Sequence, residues 1–189
     1  MPSRPLCAVL TLAVAGVAAL AAACSGTTGL PTAVFTNVVD TVSLFALDGT
    51  PITAPSAYLL QGKARVRTDQ SASLDFAFNF DSLHRPVLLP TQRLGLGALS
   101  SLQAGSAPFD AITLAPTGGW VFDSTFVLDS GRVVLVRSGA TTCATGITVS
   151  LYAKLEVLAV DSTARRVDFK ILVDENCGYR GLEPGIPQQ

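Results

Sequence analysis

Apolar and polar residues alternate over much of the chain, which is the pattern of β-strands that bury one face. Residues 73–81 place four apolar side chains on a common face, namely Leu74, Phe76, Phe78 and Phe80. Residues 58–68 also alternate, and residues 69–72 between the two segments are turn-like. The pattern predicts a hairpin in which Val66 pairs with Phe76, so that small residues of one strand face the rings of the other.

A second hairpin is predicted over residues 120–137, where Trp120 begins an alternating apolar stretch. Residues 129–131 form the predicted turn, with Gly131 at a position that needs a positive φ. The return strand, residues 132–137, is apolar on both faces. We expect it to lie centrally in a sheet or to be covered on both sides.

The third and longest predicted hairpin joins residues 147–159 to residues 167–173 through a turn at residues 161–164. Both strands alternate cleanly, so each has an apolar face and a polar face. The pattern points Leu158 and Val160 outward near the turn, which predicts that this tip is covered or contacts a partner.

Two registers of the third hairpin are open, and charge favours one of them. The first pairs Val157 with Phe169. It sets Glu156 opposite Lys170, whereas a shift of two residues sets Glu156 opposite Asp168. Opposite charges stabilise a cross-strand pair and like charges destabilise it, so we predict the first register.

The remaining segments give weaker signals. Residues 34–47 are a predicted first strand, and residues 85–90 are a short, Pro-bounded segment expected at a sheet edge. Residues 92–107 hold a short helix or a long loop, residues 109–114 a further strand, and the tail from Gly178 is irregular.

These elements predict an all-β domain over residues 34–189. Eight or nine antiparallel strands with short turns indicate a single β-sandwich. A small closed β-barrel is the alternative, because several predicted strands are long enough for one.

The first 23 residues have the order of a secretory signal peptide. Arg4 is the charged residue of a short N-terminal region, and residues 6–23 are apolar or small except for Thr11. A run of about 18 apolar residues also raises the alternative of a membrane-spanning helix. The run consists largely of alanine and has no basic flank after it, so we favour a cleaved leader.

The leader ends in Leu20-Ala21-Ala22-Ala23-Cys24-Ser25, which resembles the lipobox of bacterial lipoproteins. The resemblance implies that Cys24 becomes the new N-terminus and carries fatty acyl groups such as palmitate; ordinary secretion without a lipid is the alternative. Ala21 departs from the leucine that the family usually has at this position. Ser25 implies the outer membrane, facing the periplasm or the cell surface, in a host with two membranes, because aspartate is the family's usual retention signal there.

Residues 24–33 are the predicted lipidated N-terminus and tether, and residues 25–32 are polar and Gly-rich with one proline. Eight residues span at most about 28 Å when fully extended. The sequence therefore predicts a domain held close to a membrane surface.

Cysteine usage fits an exported protein. Of the four cysteines, Cys7 lies in the leader and Cys24 in the lipobox, which leaves Cys143 and Cys177. An even pair in an oxidising compartment predicts a disulfide, and two separate buried thiols are the alternative.

Charge excludes one class of partner. Loss of the leader with Arg4 changes 13 basic and 14 acidic residues to 12 and 14, a net charge of −2. No basic block stands out, so nucleic-acid binding lacks its electrostatic basis.

Candidate chemistry is sparse. His84, the single histidine, follows Asp81 and Ser82, but a catalytic triad needs groups that converge in space, so we expect a surface histidine. The row Lys63, Arg65 and Arg67 is either a solvated sheet face or an anion site. Asp174-Glu175-Asn176 is a calcium candidate by composition alone. One histidine without a free thiol disfavours zinc, and we expect no cofactor.

Three functions remain open at this point. The first is a non-enzymatic envelope lipoprotein that binds a protein partner or has a structural role at the membrane surface. The second is a carrier of an apolar or lipid ligand, which needs an apolar cavity of several hundred Å³. The third is a hydrolase that uses His84 or a carboxylate pair. The segments around Cys143, residues 152–155 and residues 176–180 resemble exported lipoproteins, and this likeness implies no activity.

Overall fold

The computed structural model describes residues 30–187. The predicted signal peptide, Cys24 and residues 25–29 of the predicted tether lie outside the described residues. From residue 31 onward the chain forms one compact unit. Within the described residues, no helix is long and apolar enough to cross a membrane.

The described chain contains ten β-strands in two sheets. In chain order they are β1 (Val39–Phe45), β2 (Ala57–Leu59), β3 (Ala64–Val66), β4 (Phe76–Phe80), β5 (Pro86–Pro90), β6 (Ser101–Ala104), β7 (Phe126–Val127), β8 (Val133–Thr142), β9 (Thr148–Asp161) and β10 (Arg166–Asp174). Sheet A has the order β1-β10-β9-β8-β6, and sheet B has the order β3-β2-β4-β5-β7. All pairings are antiparallel. The predicted sandwich is confirmed, and neither sheet closes into the alternative barrel.

The core lies where the inward faces of the two sheets meet. Tyr58 and Phe76 of sheet B stack with their ring centroids 5.7 Å apart, and Phe76 lies 6.1 Å from Phe169 of sheet A. Val134 and Val136 of β8 join the same buried cluster. Alternation along each strand brings these side chains inward, and their burial is the main stabilising contribution.

The predicted pairing of Val66 with Phe76 is wrong. The chain turns back earlier, at Gly62 and Lys63, which both have positive φ. β2 therefore lies between β3 and β4, and Tyr58 takes the place opposite Phe76. The alternating pattern runs unbroken through this turn, so periodicity alone gave no sign of it.

The second predicted hairpin is also wrong, although its turn is right. Gly131 has a φ of 77°, but β7 before it belongs to sheet B and β8 after it to sheet A. The turn thus carries the chain between the sheets. β8 lies between β9 and β6, and residues 133–136 are all buried, as its two apolar faces predicted.

The third hairpin has the predicted register. Val157 pairs with Phe169, and Glu156 with Lys170, whose Nζ lies 3.1 Å from the carboxylate. A β-bulge leaves Leu158 as the extra residue, and its side chain is exposed as predicted. The bulge changes the faces beyond it, so the predicted outward position of Val160 is wrong and this side chain packs against the core.

Three weaker predictions are corrected. β5 is not an edge strand, because it pairs with β4 and β7, and its prolines stand at its two ends. Residues 92–107 hold both a 3₁₀ helix, Thr91–Leu94, and the strand β6. Phe109–Ala111 is a 3₁₀ helix where a strand was predicted.

The outer face of sheet A is covered by the segment around this second 3₁₀ helix. Lys154 of β9 is buried beneath it, and its Nζ donates 2.8 Å hydrogen bonds to the carbonyls of Phe109 and Ile112. The same ammonium lies 4.4 Å from the Phe109 ring centroid. Burial lowers the pKa of Lys154, and the two carbonyls with the ring stabilise its charge.

Candidate binding cleft at the disulfide end

A disulfide joins Cys143 and Cys177, as the cysteine count predicted. Cys143 follows β8 in the turn toward β9, and Cys177 lies three residues beyond the end of β10. The two Cα atoms are 6.1 Å apart, within the usual range for a disulfide. The bond therefore ties the β8–β9 turn to the segment that follows β10.

A cleft of about 340 Å³ opens beside this disulfide. Its walls come from three parts of the chain, which are residues 31–35, residues 141–145 and residues 175–177. Leu151 of β9 also lines it. The volume lies at the lower end of what small-molecule sites have.

The N-terminal wall of the cleft is held in place by Asn176. The Asn176 Oδ1 accepts hydrogen bonds from the N–H groups of Val34 and Phe35, each 2.8 Å long. Its Nδ2 donates to the Phe35 carbonyl and to Asp174. The Tyr179 hydroxyl accepts from the Ala33 N–H. Residues 33–35 are therefore fixed to the domain by side chains that follow β10.

The next residues extend this attachment. Asn37 and Gly185 exchange two backbone hydrogen bonds of 2.8 and 3.0 Å. The buried Asn37 side chain also donates to the Gly181 carbonyl at 3.0 Å. The chain is thus bound to the C-terminal segment before β1 begins.

The three residues of the calcium candidate serve different structural roles. Asp174 is fully buried, and its Oδ1 accepts hydrogen bonds from the backbone and side chain of Asn176. Burial raises the pKa of Asp174. Glu175 instead accepts from the Gly62 N–H at 2.7 Å and lies 3.6 Å from the Lys63 ammonium. Among residues 30–187 no cluster of three metal-ligating side chains occurs.

Of the predicted basic row, Arg65 lies exposed in β3, and Lys63 and Arg67 flank that strand. Lys63 lies in the β2–β3 turn beside Glu175, and Arg67 pairs with Asp69 at 2.7 Å. The structure separates these two cations by placing each beside its own carboxylate. The local geometry agrees with a solvated surface rather than with a convergent anion site.

His84 is exposed in the tight turn between β4 and β5. The neighbouring Asp81 carboxylate accepts from the N–H groups of Leu83 and Arg85 and from the Arg85 side chain. The hydrogen bond from the Arg85 N–H is the main reason that the pKa of Asp81 is lowered. Asp81 thus shapes the turn and pairs with Arg85, and the structure gives no convergence of Asp81 with His84.

Asp75 is a buried carboxylate whose role the sequence did not reveal. It accepts hydrogen bonds from the Leu60 N–H at 2.8 Å and from the Gly139 N–H at 3.1 Å. These contacts tie the β2–β3 turn of sheet B to β8 of sheet A. Burial raises the pKa of Asp75. Alternation places Asp75 on the face opposite Leu74 and Phe76, so the sequence alone gave no sign of this contact.

Several polar side chains of the cleft already have hydrogen-bond partners within the protein. The Thr141 hydroxyl donates to Gln61 at 3.1 Å, and Asn176 and Glu175 hold backbone groups. Pro31, Val34, Phe35 and Leu151 contribute apolar surface. The arrangement suits an uncharged, apolar group better than an ion.

Comparison of the chain with protein-family models, with curated proteins and with solved structures finds no match.

Proposed function

We propose that this protein is a lipid-anchored envelope lipoprotein, with Cys24 lipidated and the β-sandwich in a non-enzymatic binding or structural role at the membrane surface. In a host with two membranes, its place is the outer membrane. The partners are the membrane itself, through the lipid, and an envelope protein. The leader motif supports the anchor at Cys24, and the attachment of residues 33–37 to the domain supports a position close to the membrane.

This attachment limits the tether. Asn176, Tyr179 and Gly185 hold the chain from Ala33 onward, so at most eight residues, 25–32, lie between Cys24 and the attached segment. Eight residues reach at most about 28 Å. A domain on such a tether works next to the membrane, and the cleft end, where the tether begins, is the part nearest the anchor along the chain.

The buried polar groups support a non-enzymatic role. Asp75 and Lys154, two buried charged residues with shifted pKa values, each hold backbone groups of a neighbouring segment. Perturbed groups often mark catalytic sites, but networks that hold a fold together perturb pKa values as well. Here each shifted group has a structural partner that accounts for its position.

A second function is favoured by the cleft, namely carriage of a small apolar ligand. Its apolar lining and its volume of about 340 Å³ suit an acyl chain or a ring system. Native mass spectrometry of the protein extracted from cells tests this proposal. A bound mass that disappears in Ala144→Trp, which fills the cleft wall, supports carriage, and apo protein in every preparation contradicts it.

Fractionation of cells that express Cys24→Ser tests the anchor. We expect the wild type in the membrane fraction as a shortened chain and the variant released from it. Cys7→Ser is the matched control, because Cys7 lies in the predicted leader, and it should behave as the wild type does. Retention of the wild type in the membrane as a full-length chain would favour an uncleaved helix and contradict the proposal.

A further inference from the structure

We propose that Val34, Phe35, Val38 and Val39, here called the N-terminal apolar surface, rest on the lipid surface to which the chain is anchored. The inference depends on the proposed lipid anchor at Cys24, and it adds a second, direct contact between the folded domain and the membrane.

The four apolar residues of this surface are all exposed. Val34 is 69% exposed, Phe35 is 55% exposed, and Val38 and Val39 are 49% and 40% exposed. Asn37 between them is buried. Four exposed apolar side chains within six consecutive positions are unusual for a soluble surface, on which such side chains are normally scattered singly.

The backbone beneath these side chains is fixed. Asn176 holds Val34 and Phe35, and Gly185 holds Asn37. Residues on a fixed backbone lose less conformational entropy on contact than those of a free tail would. The N-terminal apolar surface is thus presented by the domain as a preorganised patch.

The length of chain before the patch identifies its occupant. Nine residues separate Cys24 from Val34, so the patch lies within about 35 Å of the anchored cysteine however the tether is arranged. Residues 31–39 contain no charged side chain. An uncharged patch that is tethered this closely to a bilayer meets lipid at high effective concentration, and its contact is hydrophobic rather than electrostatic.

Depth-dependent fluorescence tests this contact in the full-length lipidated protein. In a Trp120→Phe background, Phe35→Trp places the sole tryptophan in the patch. Ile52→Trp is the matched control, because Ile52 is 71% exposed and follows the far end of β1, a strand of seven residues. Each protein is purified from membranes and reconstituted into phosphatidylcholine vesicles whose acyl chains carry bromine, which quenches tryptophan on contact.

We expect the brominated lipid to quench the Phe35→Trp protein about twofold more strongly than the Ile52→Trp protein, because only the former substitution lies in the surface that contacts the acyl region. The difference should persist when salt rises from about 0.1 M to about 1 M, since no charge is involved. Equal quenching in proteins that float with the vesicles would overturn this inference and leave the anchor intact. Failure of both proteins to float would overturn the anchor together with the inference.

Discussion

The side-chain amide of Asn176 forms a two-way hydrogen bond with the backbone of Phe35, accepting from its N–H and donating to its carbonyl, each at 2.8 Å. A neighbouring β-strand would bond the N–H and the carbonyl of Phe35 in the same way, and here one side chain forms both hydrogen bonds. It fixes the point at which the chain joins the domain, and it forms one wall of the cleft beside the disulfide.

Replacing Asn176 should release the N-terminal segment. Asn176→Ala removes four hydrogen bonds and leaves the Val34 and Phe35 N–H groups without this acceptor, which we expect to cost about 2–4 kcal/mol of unfolding free energy. Hydrogen exchange should accelerate at these two amides ahead of global unfolding. Asn79→Ala, which removes exposed hydrogen bonds to Asp48, is the control, and an equal effect in both variants would contradict the role of Asn176.

Loss of the disulfide should destabilise the sandwich without changing its topology. Cys143 and Cys177 are 34 residues apart, and the chain-entropy model gives about 3–4 kcal/mol for such a loop. We expect the double variant Cys143→Ser/Cys177→Ser to show this loss of unfolding free energy in denaturant unfolding. Reductant should produce the same loss in the wild type. Unchanged stability in both experiments would mean that the bond does not constrain the unfolded chain.

Asp75 should make the free energy of unfolding depend on pH, and its raised pKa determines the sign of that dependence. Burial raises its pKa in the folded state above the ordinary value of 3.8, so the unfolded chain releases this proton first as pH rises. The contribution of Asp75 to stability is therefore largest at low pH and decreases as pH rises from 3.8 through the folded-state pKa. Asp75→Asn lacks this loss and should gain stability relative to the wild type over that window.

Unfolding titrations of Asp75→Asn between acidic and neutral pH measure this difference. The exposed Asp129→Asn serves as the control for a change of charge. A stability difference between Asp75→Asn and the wild type that stays constant with pH would refute the assignment.

The ion pair of the third hairpin should be weak but measurable. Glu156 and Lys170 are 3.1 Å apart, and each side chain is about one quarter exposed, at 24% and 26%. Pairs of this kind couple by about 0.2–1 kcal/mol. A double-mutant cycle with Glu156→Gln and Lys170→Gln should give this coupling at low salt and less at high salt. Absence of coupling between Glu156 and Lys170 would argue for the other register, in which Glu156 faces Asp168.

Sequence reasoning succeeded where charge and periodicity pointed the same way. The register of Val157 with Phe169 followed from both, and the disulfide followed from the count of cysteines. It failed in assigning which strands are neighbours. Gly62 and Lys63 reverse the chain inside an unbroken alternating pattern, and the turn at Gly131 joins two sheets rather than two neighbouring strands. Alternation with a period of two shows which side chains share a face of a strand. It does not show which strand lies beside it.

The candidate site was harder to predict for the same reason. Asn176 lies 141 residues from Phe35, and Asp75 lies 64 residues from Gly139. Contacts of such separation depend on how the sheets pack, and no local pattern encodes them. The predicted calcium candidate includes Asn176, because polar residues cluster in that segment. In the structure Asn176 instead holds the N-terminal segment.

Intact mass measurement of the protein extracted from membranes tests the central proposal most directly. With Cys24 lipidated, we expect a chain that begins at Cys24. Its mass should be that of residues 24–189 less two hydrogens for the disulfide, plus the mass of the attached acyl groups. Treatment with reductant should add back those two hydrogens and leave the acyl mass. A full-length chain, or a shortened chain without added lipid mass, would contradict the account.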